Sequence, residues 1–258
     1  MQIKLSVVVI TYNEEKNIGQ CLESVKAVAD DIVVVDSYST DRTGEICRAQ
    51  GARFIEHTFH SHIEQKNWAI TQAKYPHILS LDADEALSEE LKSSILLVKS
   101  DWEMDGYYFN RLTNYCGKWI KHTTWYPSRK LRLWDARKGQ WGGLNPHDKF
   151  IMDPEARKKH LHGDLLHYSY YTVEEHLQQL DRFSTIHARS YYKMGIRTNL
   201  IKRNIHTVWR FLNDYIFRLG IIDGRSGFII SKLGAREVWL KYLKLRDLWL
   251  SESEKESG

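Results

Sequence analysis

The chain has little proline, 4 residues in 258, and only 15 glycines, which excludes collagen-like and low-complexity structure. Cysteine is scarce as well. Cys21, Cys47 and Cys116 stand apart, with no CxxC and no metal-type spacing, so a disulfide framework and a thiolate zinc site are both excluded. Scattered thiols in odd number fit a reducing cytosol. No apolar run reaches the roughly 18 residues that would read as bilayer-spanning. Met1–Lys4 leads into a short apolar run with no small-residue cleavage site behind it, which does not read as a secretory signal. No G-x-G-x-x-G or G-x-x-x-x-G-K-[ST] follows any candidate strand, which argues against dinucleotide binding and P-loop hydrolysis. There are no internal repeats.

What is there is a globular composition, 42% hydrophobic and 27% charged. Aromatics reach 12%, with 9 Trp and 14 Tyr, a content that suits sugar-stacking sites or a membrane interface. The net charge of +4 is unevenly spread: residues 196–250 carry eleven Lys and Arg against four Asp and Glu. The basic character therefore belongs to the C-terminal quarter.

Two hydrophobic periods alternate over the first 100 residues. Leu5–Ile10 is a continuous β-branched run, the pattern of a strand buried on both faces, and Ile32–Asp36 is a second. Arg53–Glu56 and His77–Asp82 read as further strands. Between and after them, Glu14–Ala29, Asp41–Gln50, Glu64–Ala73 and a segment through Leu91–Val98 carry helical spacing. Strands alternating with helices predict an α/β fold with a mostly parallel sheet covered on both faces. Residues 101–170 change texture, with strands expected at Tyr107–Thr113, Lys130–Trp134 and Asn145–Met152. Helices are expected at Thr172–Lys193, Leu200–Arg218 and Gly227–Leu250. The domain reading is 1–170 catalytic, 171–250 helical, and 251–258 a polar disordered tail.

In open α/β sheets the ligand lies beyond the carboxyl ends of the strands. Here those ends are polar: Thr11-Tyr12-Asn13-Glu14, Asp36-Ser37, and Asp82-Ala83-Asp84-Glu85. Acidic residues converging on one edge need a cation or hydrogen-bond donors. Carboxylates meet a phosphate only through a divalent metal, so Asp82 and Asp84, two apart in extended chain, are the candidate ligands.

The segments V-V-I-T-Y-N-E-E, V-V-V-D-S-Y-S-T-D, Q-K-N-W-A and L-S-L-D-A-D-E, in this order over about 85 residues, resemble the inverting family 2 nucleotide-sugar glycosyltransferases. W-G-G-L-N-P-H-D-K-F and L-H-Y-S-Y extend the likeness toward the lipopolysaccharide-core β-glycosyltransferase (glucosyltransferase) subgroup, to about residue 190. The resemblance implies a GT-A (Rossmann-like) fold, Mg²⁺ or Mn²⁺, and a UDP-sugar donor. It places Thr11, Tyr12, Asn13, Glu14 and Asp36 along the base and ribose, Lys66 near the base or diphosphate, and Asp82 and Asp84 on the metal. Asp148 falls at the catalytic-base position, where many subgroup members carry Glu, with His147 beside it. The Gln-x-x-Arg-Trp motif of processive synthases is absent, which implies transfer of one sugar. Direct displacement of an α-linked donor would give a β-glycoside.

Other readings stand beside these. Asp36 also suits a helix cap, Lys66 a solvated charge, and His147 a structural hydrogen-bonder. His167 is either a core histidine or a third metal ligand. Glu85 is the reserve base. Trp119, Trp125, Trp134 and Trp141 read as sugar platforms or as core, and Arg129 and Arg132 as contacts to an acceptor phosphate or as surface. A nucleotidyltransferase would be expected to carry a Gly-rich basic loop after the first strand, which is missing. A catalytically inactive sugar-binding scaffold is the second rival. The basic C-terminal quarter lacks a nucleic-acid recognition pattern, so no nucleic-acid partner is expected. Its Lys and Arg interleave with Trp, Phe, Tyr and Leu, which predicts an anchor to an anionic membrane surface, peripheral at the cytoplasmic face of the inner membrane. A glycan or lipid-linked acceptor follows from that reading.

Overall fold

The computed structural model describes residues 2–144 and 147–256. The chain divides into two compact units: residues 1–112 with 128–168, and residues 113–127 with 169–258. The segment 113–127 thus groups with the helical C-terminal part rather than with the catalytic sequence around it.

The first unit is built on a sheet in the order β3-β2-β1-β4-β8-β6-β11-β5. Its strands are β1 (Leu5–Thr11), β2 (Asp31–Asp36), β3 (Arg53–Glu56), β4 (His77–Asp82), β5 (Glu85–Leu87), β6 (Gly106–Tyr115), β8 (Ser128–Asp135) and β11 (Lys158–Tyr170). β1 to β4 run parallel, and β8 turns the remainder antiparallel. The continuous apolar run of β1 is explained by what covers it. Val7 and Val9 pack with α1 (Ile18–Val25) and α4 (Glu89–Ser100), while Val8 packs with α3 (His62–Thr71) and with β9 (Gly139–Leu144) and β10 (His147–Met152), which form a separate hairpin. α1 is shorter than its periodicity predicts, because Glu14–Asn17 is spent on a turn in which Asn17 and Ile18 N–H both bond the Glu14 carbonyl.

Two local devices shape the antiparallel half. Tyr107 pairs Leu133 and Tyr108 pairs Leu131, so Arg132 is the extra residue of a β-bulge. Bulges of this kind re-aim side chains. In β11, Gly163 holds φ +92°, and a Cβ there would lie 2.3 Å from the Leu91 amide nitrogen. Only glycine lets β11 pass so close to the start of α4.

In the second unit, the end of β6 pairs with β7 (Lys118–Ile120), followed by α5 (Val173–Lys193), α6 (Leu200–Leu212) and α7 (Gly224–Glu256). Tyr115, Ile120 and Ile230 form one core cluster; Ala188, Tyr242 and Leu245 form another. The helix expected over 200–218 ends at Leu212, where a π-turn (213–217) and a 3₁₀ turn (220–223) intervene. Helix α7 continues to Glu256, into the segment expected to lack structure, since Glu and Lys carry good helix propensity. Among the described residues no helix is long and apolar enough to cross a membrane.

Candidate active site

The parallel register sets three carboxyl ends side by side. Thr11 is opposite Asp36, and Ile10 is opposite Asp82. The chain leaves β1 for β2 on one side and returns to β4 on the other, which makes this edge a topological switch point. The loops after β1 and β2 are laced together. Asp36 is fully buried and accepts hydrogen bonds from both the Ser39 amide and its hydroxyl. The Asn13 amide donates to Ser39 Oγ, Asn13 Oδ1 accepts from the Thr40 amide at 2.8 Å, and the Glu14 amide donates to Thr43 Oγ1. Asn13 and Tyr38 adopt φ of 53° and 61°, conformations that this lacing must hold against their cost. Tyr12 and Tyr38 stand 58% and 54% exposed over the resulting cradle, and the Thr11 hydroxyl is buried without a hydrogen-bond partner among the described residues.

Lys66, on α3 and nearly buried, joins two of the expected carboxylates. Its Nζ lies 3.1 Å from Asp82 Oδ1 and 2.8 Å from Asp148 Oδ2. The bulged Arg132 reaches Asp82 Oδ2 at 2.7 Å and Glu85 Oε1 at 3.0 Å. Burial alone would raise the Asp82 carboxyl, but the charges of Lys66 and Arg132 and their hydrogen bonds outweigh it and hold it well below the usual carboxylate range. Asp82 is therefore a fixed anion with both oxygens taken by cations. Glu85 is fully buried, accepts from the Asp82 amide, and also faces Arg111 at 3.7 Å. It braces the strand end and is walled off from any substrate hydroxyl.

Asp84 is placed differently. Its Oδ2 is 3.1 Å from His167 Nε2 on β11, where the Tyr168 amide donates to the Asp84 carbonyl. Nearby Glu14 has its carboxyl raised, first by burial, against a lowering hydrogen bond from Asn17 and with a further rise from the charge of Asp84. The Asp84 carboxylate suits Mg²⁺ or Mn²⁺, whereas the His167 imidazole beside it is a tolerable ligand for Mn²⁺ and a poor one for Mg²⁺. Among the described residues no preformed cluster of three metal-ligating side chains occurs, so phosphate oxygens and water would complete the shell.

The β9–β10 hairpin carries Asp148. Asn67 on α3 acts as its clamp, its side-chain amide donating to the Trp141 carbonyl and its Oδ1 accepting from the Trp141 amide, both at 2.9 Å. Trp134 stacks on Phe150 at 3.9 Å and meets Trp141 edge-on. Trp134 and Trp141 are thus core residues, and Trp141 turns its ring to Lys66 at 4.5 Å and Arg132 at 5.6 Å. Trp125 lies half-buried in the second unit's core. The His147 side chain and Asn145 lie outside the described residues. Of the two arginines left open by sequence, Arg129 is exposed over Tyr108 and Arg132 is in the site. Asn67 and Ser39 were not legible as site residues, and Arg132 was left open between an acceptor-phosphate contact and plain surface. The one available signal was a cation inside the apolar strand L-R-L-W, which must meet a buried anion.

The profile of the family described as "Glycosyl transferase family 2" matches residues 6–153. The chain is 30% identical over 253 residues to the lipopolysaccharide core biosynthesis glycosyltransferase LpsC of Rhizobium meliloti, covering 95% of this chain and 92% of that one. It is 28% identical to an uncharacterized glycosyltransferase of Rickettsia typhi, covering 96% and 88%. Among solved structures, S. aureus TarS (1–349, in complex with UDP) is 16% identical at a TM-score of 0.45, covering 97% of this chain and 92% of that chain. Glucosyl-3-phosphoglycerate synthase from Mycobacterium tuberculosis, with Mn²⁺ and UDP-glucose, is 19% identical at a TM-score of 0.37, covering 43% and 44%. With the profile matched across more than half of its length and an acidic edge at the carboxyl ends of a mostly parallel α/β sheet, the chain belongs to glycosyl transferase family 2 and is a glycosyltransferase of the GT-A fold.

Proposed function

We propose that the chain transfers a single sugar, with inversion, from a UDP-sugar to a hydroxyl of a lipid-linked glycan of the lipopolysaccharide-core kind. The observation that carries this reading is the Asp82–Lys66–Asp148 chain of contacts, which ties the donor strand end to a carboxylate on a separate hairpin. Lys66 occupies Asp148 Oδ2 and leaves Oδ1 to accept the proton of the acceptor hydroxyl. That hydroxyl becomes acidic only as it bonds to the anomeric carbon, so a carboxylate suffices as base. Attack from the face opposite the nucleotide converts an α-linked donor into a β-glycoside.

Asp84 and His167 would hold a divalent ion, which supplies neutralisation of the leaving diphosphate when bound. Asp82, locked as an anion by Lys66 and Arg132, positions the donor end of β4 rather than titrating. Asp36, Asn13 and the Ser39 loop form the wall against which the base and ribose rest, with Tyr12 above it. The likeness to LpsC across nearly the whole chain supports an acceptor in lipopolysaccharide biosynthesis. The basic, aromatic C-terminal quarter supports work at an anionic membrane surface, peripheral at the cytoplasmic face of the inner membrane.

Calorimetry of UDP with Mn²⁺ tests the donor site. Wild-type protein should bind UDP only with the metal present, and Asp84→Ala should lose that binding while keeping its circular dichroism. Saturation at a hundredfold over Kd should also raise stability by about 2.7 kcal/mol. Metal-dependent UDP affinity unchanged in Asp84→Ala would overturn the assignment.

A further inference from the structure

Helix α6 is amphipathic in the reverse of the usual sense. Ile201, Ile205, Val208 and Trp209, spaced to share one face, are 71%, 61%, 57% and 56% exposed. Its polar stripe turns to the protein instead. The Arg203 guanidinium lies 5.2 Å over the Trp239 ring, Thr207 is half-buried, and Arg210 bonds the buried Asp214 at 2.7 Å and Thr124 at 3.1 Å. A surface helix in water puts its apolar stripe inward. This one has committed its polar side to the fold and left the apolar side outside.

The turns after α6 extend the same surface. Ile216, Phe217, Leu219, Ile221 and Ile222 are all more than half exposed. The Phe217 ring lies 5.6 Å from that of Trp209, so helix and turn present one continuous patch. Leu219 is held at φ 57°, a left-handed conformation uncommon for leucine, between the Leu219 amide bond to the Ile216 carbonyl and the Ile222 amide bond to the Leu219 carbonyl. Lys202, Arg218 and Arg225 stand exposed around the patch, and none has an ion-pair partner among the described residues.

Arg225 belongs to the first turn of α7, but Lys241, Lys244 and Trp249 farther along that helix do not share its freedom. Lys241 sits over the rings of Tyr191 and Tyr242, Lys244 is bonded to Asp181, and Trp249 donates its indole N–H to the Ile196 carbonyl at 3.0 Å. Those three side chains tie the far half of α7 into its own unit, whereas the α6 stripe and the 216–222 turn present large apolar side chains outward.

We propose that the α6 stripe and the 216–222 turn are a hydrophobic insertion element, seated in the interfacial layer of an anionic bilayer with Lys202, Arg218 and Arg225 at the headgroups. This deepens the membrane-surface part of the proposed function and rests on it. It differs from a basic patch held by charge alone: the apolar side chains enter the acyl boundary, so the attachment outlasts screening. A bilayer fits better than a second copy because unpaired cations ring the patch, and two copies face to face would bring like charges together.

The test is flotation of the full chain with vesicles of phosphatidylcholine alone and of phosphatidylcholine with one-third phosphatidylglycerol, in low and half-molar salt. Wild type should float with the anionic vesicles and keep most of its bound fraction in half-molar salt. Ile205→Glu with Trp209→Glu should lose binding by about tenfold or more. Lys202→Gln with Arg218→Gln and Arg225→Gln should lose the preference for phosphatidylglycerol. Unchanged UDP binding in these variants establishes that they fold. Flotation abolished by salt in the wild type, or unaffected by the Glu substitutions, overturns insertion while leaving a surface-charge attachment standing. No flotation of the wild type on either vesicle overturns both. A wild-type dimer in sedimentation velocity that Ile205→Glu dissociates would hand the patch to a second copy and overturn the proposal as well. UDP calorimetry involves no lipid, so failure here is separable from failure of the sugar-transfer reading.

Discussion

Lys66 does two incompatible-looking things at once: it stabilises Asp82 as an anion and touches the carboxylate proposed to take up a proton. The contact uses Oδ2 of Asp148, and in the proposed reaction it is Oδ1 that takes the proton. Replacing Asp148 by Asn preserves shape while removing the proton acceptor. Turnover in Asp148→Asn should fall by at least about a hundredfold, with UDP affinity within a few-fold of wild type. Kinetics and calorimetry on the same preparation check this, and activity near wild type would exclude Asp148 as base. A second residue tests the electrostatics behind the site. Burial, followed by the charges of Arg111 and Arg132, lowers the Lys130 amine to about 8. The folded state thus resists a proton that the unfolded chain keeps up to about 10.5, and the penalty is complete below pH 8 and gone above the unfolded value. Lys130→Met should stabilise the protein near neutral pH by on the order of 2 kcal/mol, and the gain should vanish at strongly alkaline pH. Urea denaturation at both pH values decides it. At this scale the sequence was most legible where a motif fixed a position, and the structure brings Lys66, Asp82 and Asp148 into contact. The sequence left Arg132 open between an acceptor contact and plain surface, because its aim depends on a bulge formed with a strand more than twenty residues away.

Among the elements, the parallel half of the sheet was legible because each strand is buried on both faces and leaves a continuous apolar run. In the antiparallel half, β6 and β8 were legible within a few residues and the other strands were not. β5 and β7 are three residues each, and β11 interrupts its pattern with His160, His162 and Gly163. The α6 periodicity announced an apolar face without saying where it points, since spacing carries no information about which side the protein occupies. Helix α7 owes its entry angle to Gly227, where a Cβ would lie 1.9 Å from the Gly220 carbonyl oxygen. No side chain yields in that contact, because both groups are backbone. Gly227→Ala should therefore cost at least about 3 kcal/mol in urea denaturation. A loss below about 1 kcal/mol, as expected of an ordinary helical position, would show that α7 relocates freely.

For the molecule as a whole, the family and the α/β class were readable from four short motifs, whereas the place of 113–127 in the second unit was not. A linear sequence suggests a cut near 170, yet the structure groups 113–127 with the C-terminal helices. That grouping has an acid-sensitive point. His176 is buried against Trp125 and Tyr170 with its Nδ1 3.1 Å from the Tyr115 hydroxyl, and burial pushes its imidazole down to about 4. The unfolded chain takes up that proton from pH 6.5 downward while the folded protein does not, so stability falls across the window from 6.5 to about 4. The loss should approach about 3 kcal/mol, and His176→Gln should flatten this part of the pH–stability curve. An unchanged acid limb in the variant would clear His176 of the effect.

The interleaving of the two units sets a timetable for biosynthesis. Tyr115 and Ile120 leave the ribosome long before Ile230, their partner in the same core cluster. At elongation rates of about 5–20 residues per second, the segment waits roughly 5–20 s with its apolar side chains uncovered. Meanwhile β8 and β11, synthesised after it, must thread back into the first sheet. The nascent chain therefore passes through a window in which a hydrophobic hairpin is displayed before the helices that shelter it exist, and cellular yield will depend on what binds that hairpin in the interval.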